Sequence, residues 1–121
     1  MDSHPIYPEV SKELVQQRRE LAPDTMAAFR AFNQQAFADG ALSAKMKDII
    51  AVAVAHVTQC PYCIRGHTES ALKKGATETE LMEAIWVAAE MKAGAVFAHS
   101  LVAIDTMRQV KAKAAGAKEG G

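Results

Sequence analysis

The sequence predicts an all-helical fold. Two observations carry that expectation. The good helix formers Ala, Leu, Met, Glu, Lys and Gln dominate the chain, and no stretch alternates β-branched with polar residues as a half-buried strand does. A third is punctuation, because Pro and Gly fall mostly where one helix would hand over to the next. A first helix is expected over about 8–21, ending at Ala22-Pro23-Asp24, since Pro cannot continue a helix interior. A second covers about 24–38, with Met26, Phe29, Phe32 and Phe37 as apolar bulk, and stops at Asp39-Gly40. Ser43 is suited to an N-cap and opens a third helix through Met46, Ile49, Ile50, Ala53, Val54 and Val57. That helix is apolar on most of its surface, so it is expected to be central and buried.

Thr58-Gln59-Cys60-Pro61 breaks the pattern. Pro61 suits the first position of a fourth helix, which makes Cys60 its N-cap. This helix carries Cys63, His67 and Leu72 and ends at Gly75, a good residue just past a helix C-terminus. Thr77-Glu78-Thr79-Glu80 is a capping box that opens a fifth helix through Leu81, Ile85, Trp86 and Met91. Gly94 is placed to kink or break it. A sixth would then run through Phe97, Leu101, Ile104 and Met107 to about 110. Residues 111–121 lack large apolar anchors and read as a frayed, disordered tail.

The bulk numbers bound the function. With 121 residues the chain is long enough for one domain, 1–121, with one modest core. It is 50% hydrophobic and 23% charged with a formal net charge of +0. There is no basic excess to argue for nucleic acid or an anionic membrane. Residues 1–20 are polar and charged rather than a secretory signal, and the longest apolar run, 49–57, is too short to span a bilayer. These features point to the cytosol. There a C-x-x-C is more often catalytic or metal-binding than structural. Little net charge combined with a high apolar fraction also hints at surface buried in an oligomer.

The two cysteines of the chain both lie in Cys60-Pro61-Tyr62-Cys63, and His67 follows four residues later. Thiols this close can form a small disulfide ring, which would do little for stability because the loop it closes is so short. The thiolate is the reactive form, so what matters is which features favour it. A helix N-terminus would favour ionisation of Cys60. His67, one turn beyond Cys63 on the same helical face, could take the Cys63 proton and later return it to a leaving group. Asp48, about three turns before Cys60, could orient that histidine if the fourth helix folds back along the third.

The segment from Leu42-Ser43-Ala44-Lys45-Met46-Lys47-Asp48-Ile49-Ile50 through Cys60-Pro61-Tyr62-Cys63-Ile64-Arg65-Gly66-His67, continuing over 77–98, resembles the core of the alkylhydroperoxidase D-like proteins of the carboxymuconolactone decarboxylase superfamily. The resemblance covers about 25–105. It implies an alkylhydroperoxidase D-like helical fold of about six helices, assembled as a homo-oligomer, a trimer or a hexamer. It also implies thiol-dependent reduction of hydroperoxides without a bound cofactor, with an external dithiol or thiol protein as reductant. Carried over, Cys63 attacks the peroxide, Cys60 resolves the product as a disulfide, and His67 with Asp48 forms a proton relay. Two departures stand out. Asp48 is one methylene shorter than the family glutamate, so its relay would need a water or would fail. Tyr62 stands where some members carry histidine. The superfamily's decarboxylases lack this C-x-x-C, which disfavours decarboxylation. The helix-dipole argument, by contrast, makes Cys60 the more acidic thiol.

Other readings stand beside this one. Cys60, Cys63 and His67 could hold zinc, with Asp48, His56 or His99 as a fourth ligand, in a metal-binding or redox-sensing oligomer with little turnover. A structural oligomer with a vestigial site is a third. The cysteines could be small buried core residues. His67 could be structural and Asp48 a solvated surface acid. His56 and His99 read as core or interface histidines, and Met82, Trp86 and Met91 as core or subunit interface. Tyr62 reads as packing, and Lys73-Lys74 as ordinary solvated charge.

Overall fold

The computed structural model describes residues 6–120; residues 1–5 and Gly121, the last residue of the expected tail, lie outside them. Five helices follow one another: α1 (Lys12–Leu21), α2 (Pro23–Phe37), α3 (Ala44–Thr58), α4 (Pro61–Lys73) and α5 (Glu78–Gly120). No strand occurs among the described residues, so the all-helical expectation holds.

Most boundaries follow local hydrogen-bond chemistry. Ser11 caps α1 by accepting from the Leu14 N–H, which starts that helix later than Pro8. Pro23 opens α2 and Ser43 caps α3, accepting from the Met46 N–H. Gln59 then turns the chain in a left-handed conformation at φ 59°, and Cys60 caps α4 with Pro61 next in line. Gly75, at φ 97°, supplies the positive φ that ends the α4 segment. The capping box before α5 is closed on both sides. The Thr77 N–H donates to Glu80 Oε1 at 2.8 Å, and the Glu80 N–H donates to Thr77 Oγ1 at 3.0 Å. The Thr77 backbone N–H, and then the Lys45 ammonium, hold the Glu80 carboxyl below its ordinary pKa.

Two expectations fail in the C-terminal third. Gly94 does not break the helix, so there are five helices rather than about six. A mid-helix Gly costs only about 1 kcal/mol relative to Ala, and its neighbours are strong helix formers. The expected tail is helical through Gly120, because its Ala- and Lys-rich sequence supports helix without any core contact.

The core is small and lies between α3, α4 and α5. Ile49 and Val52 from α3, Ala71 from α4, Ala76 from the following turn and Leu81 from α5 form it, with Ala84 and Ile85 packed against its edge. Val52 and Ala71 are the most completely buried. Ala71 has no side chain beyond Cβ, which lets α4 approach α3 closely. Replacing Val52 by Ala is expected to cost about 2–3 kcal/mol, read as a lower urea midpoint, because the cavity opens where three helices meet.

The third helix is central but not enclosed. Met46, Ile50, Val54 and Val57 remain exposed, because only α4 and α5 pack extensively against it. Neither α1 nor α2 buries a residue. The outer part of α5 is also bare: Val96, Phe97, Leu101, Val102, Ile104, Met107 and Val110 all lie open. By length and composition α5 is long and apolar enough to cross a membrane, a feature absent from the run at 49–57. Its first half belongs to the core through Leu81 and Ala88.

Candidate active site

The fourth helix folds back along the third after a two-residue connection, and this brings Asp48 to His67. Asp48 is 3% exposed and is the one buried charged residue among those described. Its Oδ1 lies 2.9 Å from His67 Nδ1. Its Oδ2 accepts from Ser70 Oγ at 2.7 Å and from Lys74 Nζ at 2.5 Å. Lys74 Nζ also donates to Ser70 Oγ at 2.6 Å. The shorter carboxylate therefore reaches the histidine directly, and the contact needs no bridging water. A solvated surface position for Asp48 is overturned: Val52, one turn further along α3, is core, and Asp48 shares that buried face.

Burial is the largest influence on Asp48 and pushes its pKa up, but hydrogen bonds from Lys74, Ser70 and His67 together outweigh it. The carboxyl sits below its ordinary value. A depressed carboxyl stabilises the fold fully above its unfolded pKa, about 4, and that contribution is lost as pH falls through the folded value. Wild-type protein should accordingly lose more of its urea stability between pH 6 and pH 3 than Asp48→Asn does. Equal losses in the two proteins would contradict this assignment.

Cys60 and Cys63 are both free thiols and both partly buried. The Cys63 N–H donates to Cys60 Sγ at 3.3 Å, as expected of an N-cap side chain. Hydrogen bonds from the Cys63 thiol, and then from its backbone N–H, lower the Cys60 pKa. The same thiol contact, followed by burial, raises that of Cys63. Of the two thiols, Cys60 is therefore the one whose ionisation is favoured, in line with the helix-terminus argument. Cys63 instead lines a cleft with Asn33, Phe37, Tyr62, His67 and Lys74. Phe37 of α2 stacks on the His67 ring with centroids 4.7 Å apart and planes 20° from parallel. Among the described residues no hydrogen bond joins His67 to Cys63. Tyr62 does more than pack: its hydroxyl donates to the Pro8 carbonyl at 2.7 Å, and Tyr7 meets its ring edge-on.

Ser70 was not singled out by sequence, and Lys73-Lys74 were read as ordinary solvated charge. Lys73 fits the solvated reading, as its partner is the exposed Glu69 one turn back. Lys74 does not, since it is bound to a buried carboxylate. The signal was available in the spacing: Cys63, His67, Ser70 and Lys74 recur at steps of four, three and four, one stripe of a 3.6-residue helix.

The zinc grouping is not assembled. No cluster of three or more His, Cys, Asp or Glu side chains suited to a metal occurs among the described residues. His56 Nδ1 lies against the Val52 carbonyl and His99 Nδ1 against that of Ala95, each four residues back on its own helix. His67 is taken up by Asp48.

Comparison with known proteins agrees with this architecture. Residues 23–106 match the sequence model of the carboxymuconolactone decarboxylase family. A Paracoccus denitrificans protein named "uncharacterized protein 4 in cox locus" is 55% identical over 83 residues, spanning 69% of this chain and 75% of its own. An uncharacterized Haemophilus influenzae protein is 38% identical over 90 residues, or 74% of this chain and 80% of its own. The apo crystal structure of a carboxymuconolactone decarboxylase family protein from Legionella pneumophila superposes with a TM-score of 0.62 at 38% identity, covering 65% of this chain and 70% of that one. A crystal structure from Methanobacterium thermoautotrophicum gives 0.64 at 36% identity, with 67% and 91% covered.

Proposed function

This chain belongs to the carboxymuconolactone decarboxylase family as an alkylhydroperoxidase D-like member, and on that premise we propose that it is a thiol-dependent peroxidase which reduces hydroperoxides through Cys63 and Cys60. The family includes enzymes. The observation that carries the finer reading is the alignment of Cys63, a histidine and a buried carboxylate along one cleft, with Cys60 held against Cys63 at the start of α4. A thiol held above its ordinary pKa needs a base to ionise, and His67 shares the cleft with Cys63. Cys60, whose thiol pKa is lowered by its hydrogen bonds from Cys63, is suited to the second step.

The steps balance as follows. His67 takes the proton of Cys63, whose sulfur attacks the terminal oxygen of the hydroperoxide. The O–O bond breaks, Cys63 becomes a sulfenic acid, and the departing alkoxide takes the proton from His67 and leaves as an alcohol. Cys60 then attacks the Cys63 sulfur, and the displaced hydroxide leaves as water with the proton of the Cys60 thiol or, where Cys60 is already ionised, with one taken from solvent. Two exchanges with an external dithiol or thiol protein restore both thiols. No bound cofactor enters these steps. This chemistry suits the cytosol, where thiols are kept reduced.

The same reading makes the protein a homo-oligomer, a trimer or hexamer. The chain exposes 10048 Å². A compact monomer of its mass would expose roughly 6300 Å². The excess is several times the ~800 Å² that each partner buries in a standard interface. The bare faces of α2, α3 and outer α5 supply its apolar part. A second copy accounts for those faces better than a bilayer does, since Glu83, Glu90, Lys92, Asp105 and Arg108 recur along α5.

The test is to follow consumption of cumene hydroperoxide by the reduced protein with dithiothreitol as the dithiol. Consumption in step with dithiol oxidation, lost in Cys63→Ser, is the expected result. A wild-type rate no faster than that of dithiothreitol alone would overturn the proposal for organic hydroperoxides.

A further inference from the structure

Resting on the peroxidase reading only for the direction in which the proton moves, we propose that Lys74 and Ser70 are positioning residues that lock Asp48 as a fixed carboxylate, so that the proton path from Cys63 ends at His67 and does not continue to Asp48.

The inference comes from counting donors. Lys74 carries an ammonium, which only donates, and it gives hydrogens to both Ser70 Oγ and Asp48 Oδ2. With its oxygen receiving from Lys74, Ser70 turns its own hydrogen to Oδ2 at 2.7 Å. Oδ2 is thereby committed to two donors and has no room for a proton of its own. The remaining oxygen, Oδ1, faces His67 Nδ1 alone.

The state of Oδ1 decides the tautomer of the histidine. While Asp48 is a carboxylate, Oδ1 can only accept, so Nδ1 carries the hydrogen and Nε2 of the neutral ring keeps its lone pair. A protonated Oδ1 would reverse this: Nδ1 would accept, Nε2 would carry the hydrogen, and the ring could not take the Cys63 proton through Nε2. Removing the ammonium weakens the carboxylate against its own burial and opens the way to the wrong tautomer. The other groups lining the cleft around His67 do not compete for this role. Asn33 and Phe37 on α2 are uncharged, Tyr62 is tied to Pro8, and the charged neighbours are Asp48 on α3 and Lys74 at the end of α4. Lys74 lies on the helical stripe that holds Cys63 and His67, so one element sets the register of thiol, base and clamp together.

The test reads the ring nitrogens of His67 by long-range 1H–15N correlation in reduced, 15N-labelled protein, with the resonance assigned by its loss in His67→Gln. Beside it, the rate of Cys63 alkylation by iodoacetamide is measured in the Cys60→Ser background. Wild type is expected to show Nδ1–H and bare Nε2. Lys74→Met is expected to populate the Nε2–H tautomer and to slow alkylation near neutral pH by about tenfold, while Lys74→Arg restores both. Ser70→Ala, which keeps the charge and removes one bond, should fall between and covers the case in which Lys74→Met does not fold. An Nε2–H ring in wild type would overturn the proposal, as would a tautomer unmoved in both Lys74→Met and Ser70→Ala. Neither readout uses peroxide. A protein that fails to consume hydroperoxide but whose His67 tautomer responds in this way refutes the peroxidase and leaves the clamp standing.

Discussion

Cys63→Ser is expected to abolish peroxide turnover, and His67→Ala to slow it by about a hundredfold. The two effects differ because the residues do different work. In the proposed reaction Cys63 supplies the sulfur that bonds to oxygen, and serine has no comparable nucleophilicity or reversible oxidation chemistry. His67 supplies a base to a thiol whose own ionisation is disfavoured by its contact with Cys60 and by burial. Without the imidazole, water must take that proton. The loss should therefore be greatest at neutral pH and shrink as pH rises toward the range where Cys63 ionises unaided. Stopped-flow turnover from pH 6 to pH 10 would show it. A profile for His67→Ala parallel to that of wild type would remove His67 from the proton path.

A charge on the outer half of α5 should have a comparably large effect of a different kind. Leu101 is 69% exposed in the single chain, among Phe97, Ile104 and Met107, which are also open. In the oligomer proposed above, with outer α5 as an interface, that site would be desolvated, and an unpaired carboxylate there would cost several kcal/mol per subunit. Leu101→Asp is expected to yield monomers of 13.0 kDa where wild type sediments at three or six times that mass. It should also lower the unfolding temperature, because the small core of one subunit contributes little stability alone. Sedimentation velocity of both proteins at micromolar concentration checks this. A wild type that sediments as a monomer would contradict the oligomeric reading outright.

What the sequence made legible was chiefly what neighbouring residues decide. Ser43, Cys60 and the Thr77–Glu80 box are local hydrogen-bond devices, and each caps the helix it was expected to cap. Gly94 misled because a residue's propensity was weighed without its surroundings. A penalty of about 1 kcal/mol does not break a helix whose adjoining residues, Lys92, Ala93 and Ala95, favour it. The buried face of α3 was legible in Ile49, but Val52 was not singled out, and Ile50 and Val54, expected to be buried, lie open. Periodicity shows that a face is apolar and is silent on which chain covers it. Lys74 was missed for a related reason. Beside Lys73 it looks like one of two equivalent surface charges, and only the turn of α4 sends one to Glu69 and the other to Asp48. The Asp48–His67 contact depended on how α4 folds back along α3, which spacing allowed but could not fix.

The central claim is that Cys63 attacks and Cys60 resolves, even though Cys60 is the more acidic thiol at rest. Intact mass of the reduced protein before and after one equivalent of cumene hydroperoxide tests it most directly, in wild type, Cys60→Ser and Cys63→Ser. The expected result is rapid loss of two hydrogens in wild type and one trapped oxygen in Cys60→Ser alone. An oxygen trapped only in Cys63→Ser would contradict the account and make Cys60 the attacking sulfur.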